Sequence, residues 1–262
     1  MFIEIIKKIR PSVLQSLVVK IIFGNHLKRR KLYFLKKRKI FLYIDPFNHL
    51  GTVIIKDNDY EKEVLNFVVK NINQKSIFLD VGANEGIFSI IASKKNINGK
   101  TYAFEPQKLL ISVIKKNLKV NQIKNCKIIN AGLGSGNFKS YINLYPDLNT
   151  GASSIIRPYR FSNKKQSINI SSLDYFIKKN NIIGKIDLIK IDVEGYEIQV
   201  IKGMKNLLKN NRIKNILVDY HMNIITLEDK NNCERFIISC GYKKRKFISK
   251  SGFVYYALNN GV

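Results

Sequence analysis

Cysteines, acids and long apolar runs are all scarce in this sequence, and each scarcity removes a class of protein. The three cysteines, Cys126, Cys233 and Cys240, are odd in number and widely scattered. They lack the paired spacing of a zinc site or a disulfide framework, so a reducing, cytoplasmic setting is the simpler expectation. No segment is long enough for a transmembrane helix, because the best stretch, Ser12 to Gly24, is short and contains Gln15 and Lys20. No small-residue cleavage site follows it, which argues against a secretory signal. Repeats, low-complexity tracts and Pro/Gly/Ser linkers are missing as well, so nothing calls for a second folded domain.

Acids are outnumbered, 19 Asp+Glu against 46 Lys+Arg, for a formal net charge of +27. Such a balance invites nucleic acid or an anionic membrane as partner. The excess is mostly lysine, however, and it accompanies abundant Ile and Asn along the whole chain, as a general residue bias would. Lys28 to Lys39 (KRRKLYFLKKRK) still stands out, with eight basic residues and no acid. Residues 1–39 therefore read as a basic, helical leader, and 40–262 as one catalytic domain beginning at Ile40 to Ile44 and the Asp45-Pro46 turn. Two readings of the leader stay open: a helix packed on the domain, or an amphipathic helix over Phe2 to Phe23 lying on an anionic membrane.

From Ser76 onward, short apolar runs alternate with amphipathic stretches, as a parallel sheet covered by helices on both faces requires. The expected strands are Ile77 to Val81, Lys100 to Phe104, Lys127 to Asn130, Asp187 to Ile191 and Asn215 to Tyr220. Helices are expected at Gly86 to Lys95, Gln107 to Asn121, Tyr196 to Leu208 and Glu228 to Cys240. Gly132 to Lys185 breaks the rhythm with β-rich stretches at Phe138 to Leu144 and Ser167 to Ile170, then a helix capped near Ser172. Such an insertion is a natural home for substrate-facing loops. Lys246 to Ser249 and Phe253 to Leu258 read as a closing antiparallel hairpin.

The strongest motif is Phe78-Leu79-Asp80-Val81-Gly82-Ala83-Asn84-Glu85-Gly86, a buried strand opening into a helix. Gly82 and Gly86 let backbone approach a ligand, and Asn84 tolerates a left-handed turn. There is neither a Walker lysine nor a G-x-G-x-x-G spacing, and Asp80 would repel a pyrophosphate but suit a cationic amine. At the end of the next strand comes Tyr102-Ala103-Phe104-Glu105-Pro106, with an acid placed to take ribose hydroxyls. A third segment, Ile186 to Glu197 (IDLIKIDVEGYE), brings Asp192 and Glu194 to the same crevice. Carboxylates so placed need a ligand or a lysine.

With these residues in view, the chain resembles the FkbM-type family of S-adenosylmethionine-dependent methyltransferases. The resemblance rests on DVGANEG (80–86), AFEP (103–106), SSLDYF (171–176), IKIDVEG-Y-E (189–197) and Lys202-Gly203, in matching order from about Leu42 to His221. It implies an α/β, doubly wound, Rossmann-like class I methyltransferase sheet of seven mostly parallel strands. S-adenosylmethionine would be held by Asp80, Gly82, Ala83, Asn84 and Gly86 at its methionine part, by Glu105 and Pro106 at the ribose, and by Asn130 and Ala131 along the adenine. The implied activity is O-methylation of a sugar, glycan or secondary metabolite. The chain departs from the family pattern at Asp219, where relatives often carry glutamate.

An alcohol is a weak nucleophile while protonated, so a base is wanted. His221, at the end of the fifth strand, is the first candidate, and Asp192 is the alternative base or an orienting group as well as a cofactor contact. His26 and His49 read as ordinary polar residues outside the site. No ligand cluster in the sequence calls for a metal. Two alternatives remain: an RNA ribose methyltransferase, and a cofactor-binding scaffold without catalysis that is held on membrane or RNA. Against DNA base methylation, the chain has no Pro-Pro or Pro-Cys dipeptide.

Overall fold

The computed structural model describes residues 12–160, 163–247 and 252–259. Five runs of alternating or continuous apolar residues become parallel strands: β3 (Ile77–Val81), β4 (Lys100–Phe104), β5 (Cys126–Ile129), β9 (Ile186–Ile191) and β10 (Ile213–Asp219). Two C-terminal strands, β11 (Tyr242–Arg245) and β12 (Phe253–Leu258), complete a seven-stranded sheet in the order β11-β12-β10-β9-β3-β4-β5. β12 pairs antiparallel with both β10 and β11. The expected hairpin is therefore present, but its first strand is Tyr242–Arg245 rather than Lys246 to Ser249, of which Ser249 lies outside the described residues, as does Ile248. Tyr242 explains the shift: it is buried, and its hydroxyl donates to the Ile213 carbonyl at 2.7 Å, which seats this residue on the sheet.

Both faces of the sheet are apolar, so both must be covered. One face carries α2 (His49–Asp57), α3 (Lys62–Asn71), α4 (Ile87–Lys95) and α5 (Lys108–Val120). Ile54, Leu65, Ile90 and Ile114 from these helices pack with Phe78, Leu188 and Leu217 of the strands. The opposite face carries α6 (Leu173–Lys179), α7 (Glu197–Lys202), α8 (Lys205–Lys209) and α9 (Leu227–Ser239). There Leu173, Val200, Leu208 and Ile237 meet Val81, Ile191 and Val218. Caps set several helix starts: the Asn48, Ser172 and Thr226 side chains accept backbone N–H bonds from Leu50, Tyr175 and Asp229. A single helix was expected over Tyr196 to Leu208, but α7 and α8 are separate. Gly203 parts them, because a Cβ there would sit 1.8 Å from the Gly134 carbonyl oxygen.

The insertion between β5 and β9 forms its own three-stranded sheet, β6 (Gly132–Leu133), β8 (Lys165–Ser171) and β7 (Phe138–Asn143), around Ile142, Ile168 and Ile170. It also contributes a 3-10 turn, Asp147–Ala152.

The leader is only partly helical. Residues 2–11 of the expected Phe2 to Phe23 helix lie outside the described residues, and α1 spans Ser12–Phe23. β1 (Lys31–Leu35) then pairs antiparallel with β2 (Ile40–Ile44), so position 40 falls inside a hairpin whose Leu35, Ile40 and Leu42 are buried in the core. His26, read from the sequence as an ordinary polar residue outside the site, is buried away from the cleft lining, and its Nδ1 lies 2.8 Å from Asp45, which Arg29 also grips. Burial raises the Asp45 pKa, but hydrogen bonds from His26 and Arg29 outweigh it and leave it lowered.

Candidate functional site

Open α/β sheets bind ligands beyond the carboxyl ends of their strands. A cleft lies there, walled by the turns after β3, β4, β9 and β10, by Asn48 to Leu50 and Tyr60-Glu61 from the first helical face, and by Asn149, Gly151 and Ser153 from the insertion. Gly82, Asn84, Glu105, Pro106, Asp192 and His221, all named from the sequence, line it.

One end is built from the glycine turn. Gly82 has φ +82° and a Cβ there would fall 1.8 Å from the Asp192 carbonyl oxygen, so the turns after β3 and β9 pack backbone to backbone. Asn84 occupies the left-handed region at φ +50°. Its backbone N–H donates to Glu105 Oε2 at 2.9 Å, while Gln107 N–H donates to Oε1 at 2.9 Å. Glu105 thus ties two turns together, yet burial dominates and pushes its carboxyl up to about 7. Asn84 Oδ1 is buried in this wall without a hydrogen-bond partner. An orphan acceptor beside a strand-tip carboxylate fits a ligand carrying ribose hydroxyls and an amine.

Other expected contacts stand back from the cleft wall. Asp80 is fully buried on the sheet face toward α4, where Ser89 Oγ donates to it at 2.6 Å and Lys190 Nζ lies 3.8 Å away. The alternation of β3 explains this: Val81 faces the cleft side, so Asp80 faces away. Ala83 is buried, and Gly86, at φ +85°, caps α4 against Ile114. Asn130 holds the β4 turn by donating to the Glu105 and Pro106 carbonyls, with Ala131 beside it.

The other end is ionic. Lys190, beside Asp80 in register on β9, is 1% exposed and reaches Asp192 Oδ2 at 3.1 Å. Burial opposes its charge, but Asp192, Asp80 and Glu61 more than reverse this and raise its pKa. Glu61 sits at φ +38°; burial first, then the nearby Asp192 charge, push it up to about 7. Burial and Asp192 likewise raise Asp219 to about 6.

His221 is bonded through Nδ1 to Glu197 Oε1 at 2.8 Å, and its Nε2 faces Glu194 at 3.6 Å and Asp192 at 3.8 Å. Burial lowers its pKa, but Glu194, Glu197 and Asp192 together raise it to about 11. His221, the base candidate named from the sequence, thus lies in the cleft among three carboxylates that favour its charged form, the form that donates rather than accepts a proton. The fold also assembles a metal-capable trio that no spacing announced, since ligand atoms of Asp192, Asp219 and His221 lie within 4.8 Å of one another. Within this trio Asp192 is also paired with Lys190 at 3.1 Å.

The sequence missed Tyr60, Glu61, Asn48 and His49, all of which line the cleft. They precede the motifs and carry no spacing signal. It also missed Arg30, whose guanidinium donates to both Glu85 oxygens, clamping the hairpin segment to the glycine turn.

Sheet order, glycine turn and strand-tip acid together define a class I methyltransferase fold. The chain belongs to the FkbM family of S-adenosylmethionine-dependent methyltransferases: the family described as "Methyltransferase FkbM domain" matches residues 80–244. Similar curated proteins include "Methyltransferase sdnD" of Sordaria araneosa, 26% identical over 164 residues, 52% of this chain and 63% of that one. Another is "Hexuronic acid methyltransferase AglP" of Haloferax volcanii, 24% identical over 171 residues, 65% of this chain and 66% of that one. These matches span slightly under two thirds of the relatives' own length. Among solved structures, M. capricolum TrmK in complex with S-adenosylhomocysteine is similar at 16% identity and a TM-score of 0.42, covering 75% of this chain and 68% of that one.

Proposed function

We propose that this protein is an S-adenosylmethionine-dependent O-methyltransferase acting on a hydroxyl of a sugar, glycan or secondary metabolite. The observation that carries this reading is the division of one cleft into an end with an orphan Asn84 acceptor and the Glu105 carboxylate, and an end with Glu61, Asp192 and Asp219. Gly82, Asn84, Glu105 and Pro106 would hold the cofactor. When bound, it supplies an electrophilic methyl group on a sulfonium, and most of the driving force.

The protein's own residues then have two tasks. The carboxylates orient an acceptor hydroxyl and take its proton; a base of pKa near neutrality serves this best, which brings Glu61 beside Asp192 as a candidate. Lys190 and the His221 imidazolium hold the acids in place and offset their mutual repulsion. Five carboxylates line the cleft, and the four outside the cofactor end, Glu61, Asp192, Glu194 and Asp219, favour a hydroxyl-rich acceptor over a phosphate polymer. The name of the Haloferax volcanii relative, a hexuronic acid methyltransferase, supports a sugar acceptor, while the acid-rich lining by itself favours a neutral sugar over a uronate.

The test is incubation of the full chain with isotopically labelled S-adenosylmethionine and a panel of uronic acid and neutral oligosaccharides. Label transferred to a saccharide hydroxyl is the expected result. Label entering RNA and no saccharide would establish the ribose alternative, and cofactor binding without transfer to any acceptor would leave a scaffold.

A further inference from the structure

We propose that residues 14–41 form a docking face for an anionic lipid bilayer. This inference does not depend on which hydroxyl accepts the methyl group. Helix α1 buries Val19 against the domain, yet Leu14, Leu17 and Ile21, spaced along one stripe, face outward, with Leu17 51% and Ile21 74% exposed. The β1–β2 hairpin repeats this arrangement. Its inward residues are core, while Leu32, Phe34 and Phe41 are exposed, the two phenylalanine rings lying 4.8 Å apart on neighbouring strands. Exposed large apolar side chains in such density mark an interaction surface rather than ordinary solvent contact.

The charge on this face selects the partner. Between Glu4 and Asp45 the sequence contains no acid at all. Arg29, Arg30 and Arg38 are engaged in internal ion pairs with Asp45, Glu85 and Asp59. Lys20, Lys28, Lys36 and Lys39 of the same segment remain exposed. A second copy of the chain would oppose two acid-free, lysine-bearing faces and repel. Nucleic acid would pair with the lysines but leave the aliphatic stripe of α1 without a partner. An anionic bilayer satisfies both halves, taking leucine, isoleucine and phenylalanine into its acyl boundary and lysines among its phosphates.

Docking would also orient the cleft. α1 packs against the Asp147–Ala152 turn, and Asn149 and Gly151 of that turn line the cleft. The same segment supplies Arg30 to the glycine turn through Glu85. A membrane-bound α1 is therefore joined to the cleft wall through that turn.

Flotation of the full chain with vesicles tests this. Wild type is expected to float with vesicles of equal parts phosphatidylcholine and phosphatidylglycerol, and to bind pure phosphatidylcholine about tenfold or more weakly. The double variant Leu17→Glu/Ile21→Glu should lose about tenfold or more in partitioning, and Lys28→Glu/Lys36→Glu should lose comparably and flatten the salt dependence. A thermal shift with S-adenosylhomocysteine equal to wild type would show that both variants fold. Failure of wild type to float, or flotation of the apolar double variant as strong as wild type, would overturn the proposal. So would a wild-type dimer in sedimentation velocity that Leu17→Glu/Ile21→Glu dissociates.

Discussion

The two ends of the cleft hold their carboxylates in different ways. At the glycine turn, Glu105 is gripped by backbone N–H groups of Asn84 and Gln107, donors that no substitution except proline removes. At the far end, Asp192 depends on side-chain charge: Lys190 at 3.1 Å and His221 at 3.8 Å. The first arrangement is fixed by chain geometry and so suits an invariant ligand. The second can be re-tuned residue by residue, as acceptor specificity demands.

Substitutions sharpen this contrast. The largest effect is expected at Lys190, the buried cation between Asp80, Asp192 and Glu61: Lys190→Met strands acids in a dry environment and should cost about 3–5 kcal/mol in urea unfolding. If Asp80→Asn added to Lys190→Met recovered none of that loss, the ionic account of this end would fail. Next, Gly82→Ala forces a side chain onto backbone at φ +82° and 1.8 Å from the Asp192 carbonyl oxygen. Roughly 2–4 kcal/mol of destabilisation should follow, read by the same denaturation. A smaller change, about tenfold to a hundredfold in S-adenosylhomocysteine affinity by calorimetry, is expected of Glu105→Gln.

A further effect is one of pH. The folded His221 pKa of about 11 lies above its unfolded value near 6.5. Its contribution to stability is therefore complete below about pH 6.5 and is lost progressively as pH rises through the folded value. The difference in denaturation midpoint between wild type and His221→Gln should narrow steadily from neutral to alkaline pH. A constant difference would mean that His221 acts by packing alone.

These two ends also differ in how far the sequence discloses them. The glycine turn, Glu105 and Asp192 were legible because each sits at a strand end that periodicity locates, and β3, β4, β9 and β10 lie within two residues of expectation. Asp80 was placed at the ligand because the motif carries an acid there, but strand alternation turns it toward Lys190. Tyr60 and Glu61 were illegible, since only tertiary packing of α2 and α3 brings them over β9 and β10. His221 shows the limit from the other side. Its position was read correctly, but its protonation depends on Glu194 and Glu197 folding back on it, and no local pattern reports that. The basic run is opaque in the same manner, because it conceals that Arg29, Arg30 and Arg38 are internal ion-pair partners.

Calorimetric titration of S-adenosylhomocysteine into wild type, Glu105→Gln and Glu61→Gln addresses the division of the cleft most directly. Tight binding to wild type, a loss of about tenfold or more in Glu105→Gln and a change within about threefold in Glu61→Gln is the predicted pattern. Equal losses in the two variants, or no binding to wild type, would contradict it.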